Sequence, residues 1–233
     1  MIDCDALLMS EQPSIAFRKL HEMHALPDYL DVLSQTMQRS DYHPEGDVLT
    51  HTFMVLDEGA KRKYQSDHPL WFMWACLLHD IGKPAVTTPD GHAPYHNESG
   101  IEVFKNVSII TDLSQRQYVE TMIMYHMHLM NMSRNHAEDW RYLRLLKLIE
   151  NKVSLNDLIL ISICDKLGRG YVAYDQLFEF YQFIIDKQIR LGTKPIAAFI
   201  NDEVIFWQAY EMQLKGKTKE EILRSLDRKD VKG

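Results

Sequence analysis

Two acidic side chains in this sequence stand directly at the ends of apolar runs. Trp71-Phe-Met-Trp-Ala-Cys-Leu-Leu78 leads into His79-Asp80-Ile81-Gly82-Lys83-Pro84, and Leu158-Ile-Leu-Ile-Ser-Ile-Cys164 leads into Asp165. Each run reads as a buried helix, so each carboxylate is expected at the edge of an apolar interior, where an unpaired charge is costly. A divalent cation held by carboxylate and imidazole removes that cost, and His79 offers an imidazole beside Asp80. Ion pairing is the competing explanation. Lys83 follows Asp80 by about one helical turn and Arg169 follows Asp165 by the same interval. Further upstream, Val48, His51 and Val55 share one helical face, which turns the His51 imidazole inward. Taken alone, such a histidine reads as a core residue hydrogen-bonded to some partner. Together with His79, Asp80 and Asp165 it makes a set of metal-ligand type.

More histidines fall between the His79-Asp80 pair and Asp165. His126 shares a face with Val119, Met122, Ile123 and Met130, whereas His128 is rotated to roughly the opposite side. His92 and His96 lie in or just after the Pro84–Pro94 loop, and His96 precedes Asn97-Glu98, where a helix is expected to begin. His126 and His96 are therefore the candidates for a second metal site, which would suit phosphoryl chemistry by stabilising both attacking and leaving oxygens. The alternative gives the site a single ion and leaves these two histidines as acid–base, phosphate-binding or structural groups.

The elements that must position these residues are helices. Apolar residues recur at intervals of three and four, and extended alternation is hard to find, so the fold class is all-α. Helices are expected near 13–24, 27–38, 47–65, 69–80, 97–108, 114–130, 136–150, 154–168, 172–190, 201–215 and 218–227. Asp41-Tyr-His-Pro-Glu-Gly46, Pro84 to Gly91 and Gly192-Thr-Lys-Pro195 supply the breaks, with Gly82 and Pro84 ending the helix that carries His79.

With 233 residues, 45% of them hydrophobic, one compact domain over 1–233 is sufficient, its core about 40–190 and flanking helices at both ends. Against 26 basic residues stand 33 acidic ones, a net charge of −7 that disfavours tracking a long nucleic-acid backbone. A small nucleotide or a nucleic-acid end is the expected substrate class. Cys4, Cys76 and Cys164 have no CxxC spacing and read as core thiols of a reducing compartment. No basic segment with a following apolar stretch marks the N-terminus, and no run is long enough for a bilayer span. The expectation is a cytoplasmic protein without a membrane partner.

The ordered set His51, His79-Asp80 and Asp165, with the string His79-Asp-Ile-Gly-Lys83, resembles the HD phosphohydrolase superfamily. A closer resemblance is to the HD domain of bacterial CCA-adding tRNA nucleotidyltransferases. It is carried by His43-Pro-Glu-Gly-Asp-Val-Leu-Thr-His51-Thr, Tyr95-His96-Asn-Glu-Ser-Gly100 and Asp165-Lys-Leu-Gly-Arg169. The lead-in Met9 to Ser14 with Ala16-Phe-Arg18, and a tail near Ala209 to Gly216, extend it over most of the chain. No glycine-rich nucleotidyltransferase segment with paired aspartates precedes this region, so CCA addition is not expected. The resemblance implies an all-helical bundle with His51, His79, Asp80 and Asp165 as ligands of a catalytic divalent metal. It also implies activity on 2′,3′-cyclic phosphodiesters or nucleotide phosphates. Relatives with two further histidines in the middle interval bind two metals, a role open to His96 and His126.

In the expected mechanism the ion activates water as nucleophile, while Lys83 and Arg169 neutralise charge on the phosphoryl oxygens. Loss of Lys83 is then expected to lower the rate more than the metal content. His126 or His96, if not a ligand, would protonate the leaving oxygen. Imidazoles and carboxylates accept manganese, iron, cobalt, nickel or zinc. Two other readings are a non-catalytic module that docks tRNA or a protein and keeps its metal for folding, and a deoxynucleoside monophosphate phosphatase.

Overall fold

The computed structural model describes residues 3–170 and 174–191; the helices expected over 201–215 and 218–227, and the tail near Ala209 to Gly216, lie outside them. Among the described residues there is no strand, only a single isolated bridge between Met37 and Asp47, and the all-α expectation holds. The helices are α1 (Cys4–Leu8), α2 (Pro13–Glu22), α3 (Asp28–Asp31), α4 (Val48–Arg62), α5 (Pro69–Leu78) and α6 (Lys83–Val86). They continue with α7 (His96–Phe104), α8 (Leu113–Tyr125), α9 (His128–Arg134), α10 (Asp139–Ile149), α11 (Leu155–Leu167) and α12 (Tyr174–Leu191).

Helix α5 is the axis of the bundle. All its residues from Phe72 to Leu78 are buried, as a helix apolar on every side must be, and α4, α8 and α11 enclose it. Helix α11 is likewise buried from Asp157 to Cys164. Helix α4 turns Val48, His51, Thr52, Val55 and Leu56 inward and keeps its other face for α2 and solvent. One contiguous apolar core runs from Leu8 to Ile184, with Cys76 and Cys164 wholly inside it as free thiols. Short polar side chains start the long helices: Asp47 accepts from Thr50 N (2.8 Å), Asp112 from Gln115 N (2.7 Å) and Ser154 from Asp157 N (3.1 Å). No helix among the described residues is long and apolar enough to cross a membrane.

Three expected elements differ. The segment 27–38 is one α turn, α3, followed by a tighter 3-10 turn over Val32–Gln35. The loop after Gly82 opens with the short helix α6, which Pro84 permits because its missing N–H falls in a first turn. The helix expected over 114–130 breaks between Tyr125 and His128, and its second half runs on to Arg134 as α9.

Gly82 was expected to act as a helix stop, but its backbone is helical (φ −83°) and the constraint is space. A Cβ there would lie 2.0 Å from the His96 carbonyl oxygen and 2.2 Å from Gly100 N, so α6 docks backbone to backbone on α7. Gly168 does the same at the end of α11, where a Cβ would come within 2.5 Å of Val55 Cγ2 and 2.8 Å of Val55 N on α4. Because the obstacle at Gly82 is backbone on both sides, Gly82→Ala is expected to lower the unfolding free energy by about 3 kcal/mol, the upper end for overpacking. Urea denaturation measures this directly; a loss below about 0.5 kcal/mol, typical of an unconstrained surface site, would show that α6 and α7 can separate freely.

Candidate metal centre

Five elements deliver ionisable side chains to one buried point. His51 comes from the first turn of α4, His79 and Asp80 from the turn that ends α5, His96 from the first residue of α7, His126 from the end of α8, and Asp165 from α11. Asp80 lies at the centre. Its Oδ2 is 3.2 Å from His79 Nε2 and 3.8 Å from His51 Nε2, and its Oδ1 is 3.4 Å from His96 Nε2 and 3.8 Å from His126 Nε2. Asp165 Oδ1 is 3.0 Å from His51 Nε2, and the Nε2 atoms of His96 and His126 are 3.4 Å apart. The donor atoms thus form two sets of three within 4.8 Å, His51 with His79 and Asp80, and Asp80 with His96 and His126. Asp80 belongs to both.

The other ring nitrogen of each histidine is already committed. Nδ1 lies 3.0 Å from the Gly168 carbonyl for His51, 2.9 Å from Cys76 O for His79, 2.8 Å from Ala93 O for His96 and 2.8 Å from Ile123 O for His126. A carbonyl can only accept, so each Nδ1 carries a proton, and in a neutral ring Nε2 is then a bare lone pair. Burial pushes His96 below the usual histidine range. It takes His126 down to about 3, with the neighbouring charge of His79 adding to the shift. Around Asp80 Oδ1, then, two lone pairs and a carboxylate oxygen face one another with no proton to share. On the other side, His79 Nε2 is buried without a hydrogen-bond partner, its approach to Asp80 too poorly aligned to count as one. Acceptors crowded in this way are what a divalent cation satisfies, and imidazole with carboxylate is a suitable donor set.

His51 shifts in the opposite direction to His96 and His126. Its burial opposes the charge, but hydrogen bonds with Asp165 and Glu45 outweigh it and raise the pKa. A cation between His51 and Asp165 is favoured, whether a proton or a metal ion. Burial would also push the carboxyls of Asp80 and Asp165 up. The charges of His79 and Lys83 around Asp80, and of Arg169 with His51 around Asp165, instead hold both well below the usual carboxylate range.

The ion pairs weighed from sequence as an alternative to a metal coexist with the ligand cluster. Lys83 Nζ lies 2.6 Å from Asp80 Oδ2 and donates to Gln38 Oε1 at 2.6 Å. Arg169 Nη2 is 3.5 Å from Asp165 Oδ1, and its Nε is buried without a partner. His92 and His128 stay outside the cluster. His92 is exposed beside Arg39 and Asp90, and His128 stands edge-on to the Tyr125 ring at 4.9 Å.

Sequence reasoning passed over three neighbours as site residues. Glu45 accepts from His43 Nδ1 (2.8 Å), His51 Nδ1 (3.0 Å) and Gly170 N (2.9 Å), and these contacts keep its carboxyl ionised although burial opposes it. It is therefore a carboxylate behind a candidate ligand, fixing the ring that its partner oxygen also orients. Gln38 holds Lys83. All three residues sit in the non-helical stretch before α4; His43 and Glu45 fall within the family-like string His43-Pro-Glu-Gly-Asp, and Gln38 at the end of the helix expected over 27–38.

A helical bundle that gathers four imidazoles and two carboxylates around a buried point, with Asp80 shared, defines a class of histidine–aspartate metal-binding domains. Residues 48–170, more than half of the chain, match the family model of the HD domain, and the chain belongs to that family. It is similar to the multifunctional CCA protein of Pseudomonas syringae pv. syringae strain B728a, 36% identical over 107 residues, which is 43% of this chain and 25% of that protein. It also resembles those of Paraburkholderia phytofirmans, 41% identical over 92 residues, and Burkholderia multivorans, 42% over 92, each match covering 38% of this chain and 21% of the relative. The matched region thus spans a quarter or less of these relatives' length.

Elemental analysis of protein loaded with manganese is expected to give much less bound metal for Asp80→Ala and for His126→Ala, and unchanged metal for His128→Ala. Glu45→Gln, which leaves every donor atom in place, is expected to weaken metal affinity about 10- to 100-fold. Equal metal content in the His126 and His128 variants would remove His126 from the site.

Proposed function

We propose that this chain is a metal-dependent phosphohydrolase acting on a small nucleotide phosphoester or a nucleic-acid end, with 2′,3′-cyclic phosphodiesters foremost. The observation that carries the reading is the convergence of Nε2 lone pairs on both oxygens of Asp80, with every Nδ1 tied to a backbone carbonyl. In this reading His51, His79, Asp80 and Asp165 would hold one ion, and His96 and His126 with Asp80 would hold a second. A divalent manganese, iron, cobalt, nickel or zinc ion bound there supplies Lewis acidity and a nucleophile available near neutral pH.

The chain's own residues do the rest. Arg169, whose Nε is buried without a partner beside Asp165, is placed to hold a phosphoryl oxygen. Lys83 adds a fixed positive charge at Asp80, close to where charge develops during phosphoryl transfer. Because Lys83 touches Asp80 directly, its charge acts on metal affinity as well as on the rate. His96 and His126 act as ligands rather than as proton donors, since their only N–H groups point away from Asp80 to Ala93 O and Ile123 O. Glu45 and Gln38 are positioning residues, one for the His51 ring and one for the Lys83 ammonium. The name of the similar proteins, multifunctional CCA protein, supports a nucleotide-related substrate. The reading takes 1–233 as one functional unit and the cytoplasm as its place, supported by the single core of the described residues and by Cys76 and Cys164, buried as free thiols.

The test is a comparison of initial rates on 2′,3′-cyclic nucleotides, 3′,5′-cyclic nucleotides, deoxynucleoside monophosphates and bis-para-nitrophenyl phosphate, each with manganese, nickel or cobalt. The expected result is fastest opening of 2′,3′-cyclic nucleotides and no activity in Asp80→Ala. Arg169→Ala is expected to keep its metal and lose about 10²- to 10³-fold in kcat, as removal of one charge-stabilising donor does. Faster turnover of deoxynucleoside monophosphates would move the substrate assignment, and no turnover with any metal would leave a binding module.

A further inference from the structure

Away from the metal centre, α9 and α10 form the two walls of a groove of about 410 Å³. From α9 it is lined by His128 and Asn131 and, just past the helix end, by Asn135, which recur at helical spacing and so form one stripe. From α10 it is lined by Trp140, Arg141 and Arg144, another stripe of the same kind. Trp140 is 53% exposed although it is among the largest apolar side chains of the chain. Its indole N–H donates to Glu138 Oε2 and the Arg141 guanidinium lies 5.4 Å from the ring centroid, so the ring plane is fixed at the groove edge. Among the described residues no carboxylate pairs with Arg141 or Arg144. The nearby acid Asp139 is already taken by Lys187 (2.7 Å) and Arg190 (2.9 Å).

Helix α9 leads along the chain from the centre to the groove: His126 is the second residue before the His128 that begins this wall. A chain whose net charge is −7 therefore presents, on the two helices that follow His126, a strip with two guanidiniums that no described carboxylate pairs, a fixed indole face and two side-chain amides. The chemistry that matches all three features is a single-stranded nucleic acid. A base stacks on the indole, phosphates meet the arginines, and base edges meet the amides. A folded protein partner would need a larger apolar area, and a free mononucleotide would leave one wall unused.

We propose that the α9–α10 groove binds the single-stranded segment of a nucleic acid whose terminal phosphate lies in the metal centre. The preferred substrate is then a short oligonucleotide end rather than a free nucleotide. The proposal rests on the phosphohydrolase reading of the metal centre for its second half only, since binding in the groove does not require turnover.

The experiment uses the full chain loaded with manganese. Binding of fluorescein-labelled single-stranded RNA of about eight nucleotides, a length within the usual range for such sites, is measured by polarisation at fixed salt, with single-stranded DNA and a duplex of the same sequence as comparison arms. In parallel, kcat/KM is measured on a 2′,3′-cyclic mononucleotide and on an oligonucleotide ending in the same cyclic phosphate. Wild-type protein is expected to bind the single strands more tightly than the duplex. Trp140→Ala is expected to weaken that binding about tenfold, and Arg141→Ala with Arg144→Ala to weaken it at least as much and to flatten its salt dependence. In these variants the rate on the mononucleotide stays as in wild type, which also shows that they fold, while the rate on the oligonucleotide falls. Single-strand binding that changes less than about twofold in all of these variants, or a duplex bound as well as a single strand, overturns the groove assignment even if the mononucleotide is hydrolysed. If instead the variants lose oligonucleotide binding while no substrate turns over with any metal, the groove assignment stands and the phosphohydrolase reading fails.

Discussion

Because Nδ1 of each of four histidines donates to a main-chain carbonyl, the direction of every remaining lone pair in the centre is set by the backbone and not by the side chains themselves. Three of these carbonyls lie three residues upstream of the ring they hold: Cys76 for His79, Ala93 for His96 and Ile123 for His126. His79 and His126 each follow the last residue of a helix, where carbonyls of the final turn have lost their intrahelical partners. The imidazole satisfies an orphan acceptor on one side and is thereby aimed on the other. His51 is the exception. It sits inside α4, and its two acceptors are the Gly168 carbonyl from distant chain and the Glu45 carboxylate from the loop just before the helix.

That dependence explains why the glycines are placed where they are. The Gly168 carbonyl reaches the His51 ring only because the end of α11 rests against the Val55 backbone with no Cβ between them. Gly82 lets α6 approach α7 in the same way, and α7 is the helix whose first residue is His96. The apolar packing of α5 against α4, α8 and α11 supplies the favourable burial that can hold ionisable groups in an interior where each unpaired charge costs several kcal/mol, ~2–7 even for a neutral polar group. Rigid packing and the buried acceptors are thus one arrangement: the bundle is tight at the points where a loosened contact would let an Nε2 swing away from Asp80.

The helical class, most element positions and the inward turn of His51 and His126 were legible because all of them follow from apolar periodicity. The phase argument that separated His126 from His128 agrees with the burial of the first and the exclusion of the second, although the continuous helix it assumed is broken between them. No glycine or proline marks that break. It coincides with His126 folding back onto Ile123 O while its own carbonyl accepts from Ser162 Oγ (2.9 Å), tertiary interactions that no local propensity encodes. Glu45 and His43 escaped for a related reason: a residue in irregular chain has no face, so its side chain is placed only once α4 and α11 are packed. Gln38 was assigned to the end of a helix that in fact stops at Gln35. The short α1 and α6, of five and four residues, fall below the length at which a periodic pattern can be recognised.

Charge balance links the number of ions to the kind of substrate. Glu45, Asp80 and Asp165 are held ionised, against Lys83 and Arg169, so with every imidazole neutral, as ligation of a metal requires, the side chains of the centre contribute one net negative charge. One divalent cation reverses that sign by a single unit, enough to attract a singly charged phosphodiester but little more. A second, held where the lone pairs of His96 and His126 face Asp80 Oδ1, makes the centre strongly positive and able to hold a dianionic phosphomonoester as well. The overall charge of −7 does not enter this balance, since it is spread over the surface and screened within about 10 Å at ordinary ionic strength. An acidic chain and an anionic substrate are therefore compatible, provided that the cations the centre is shaped to accept are bound first.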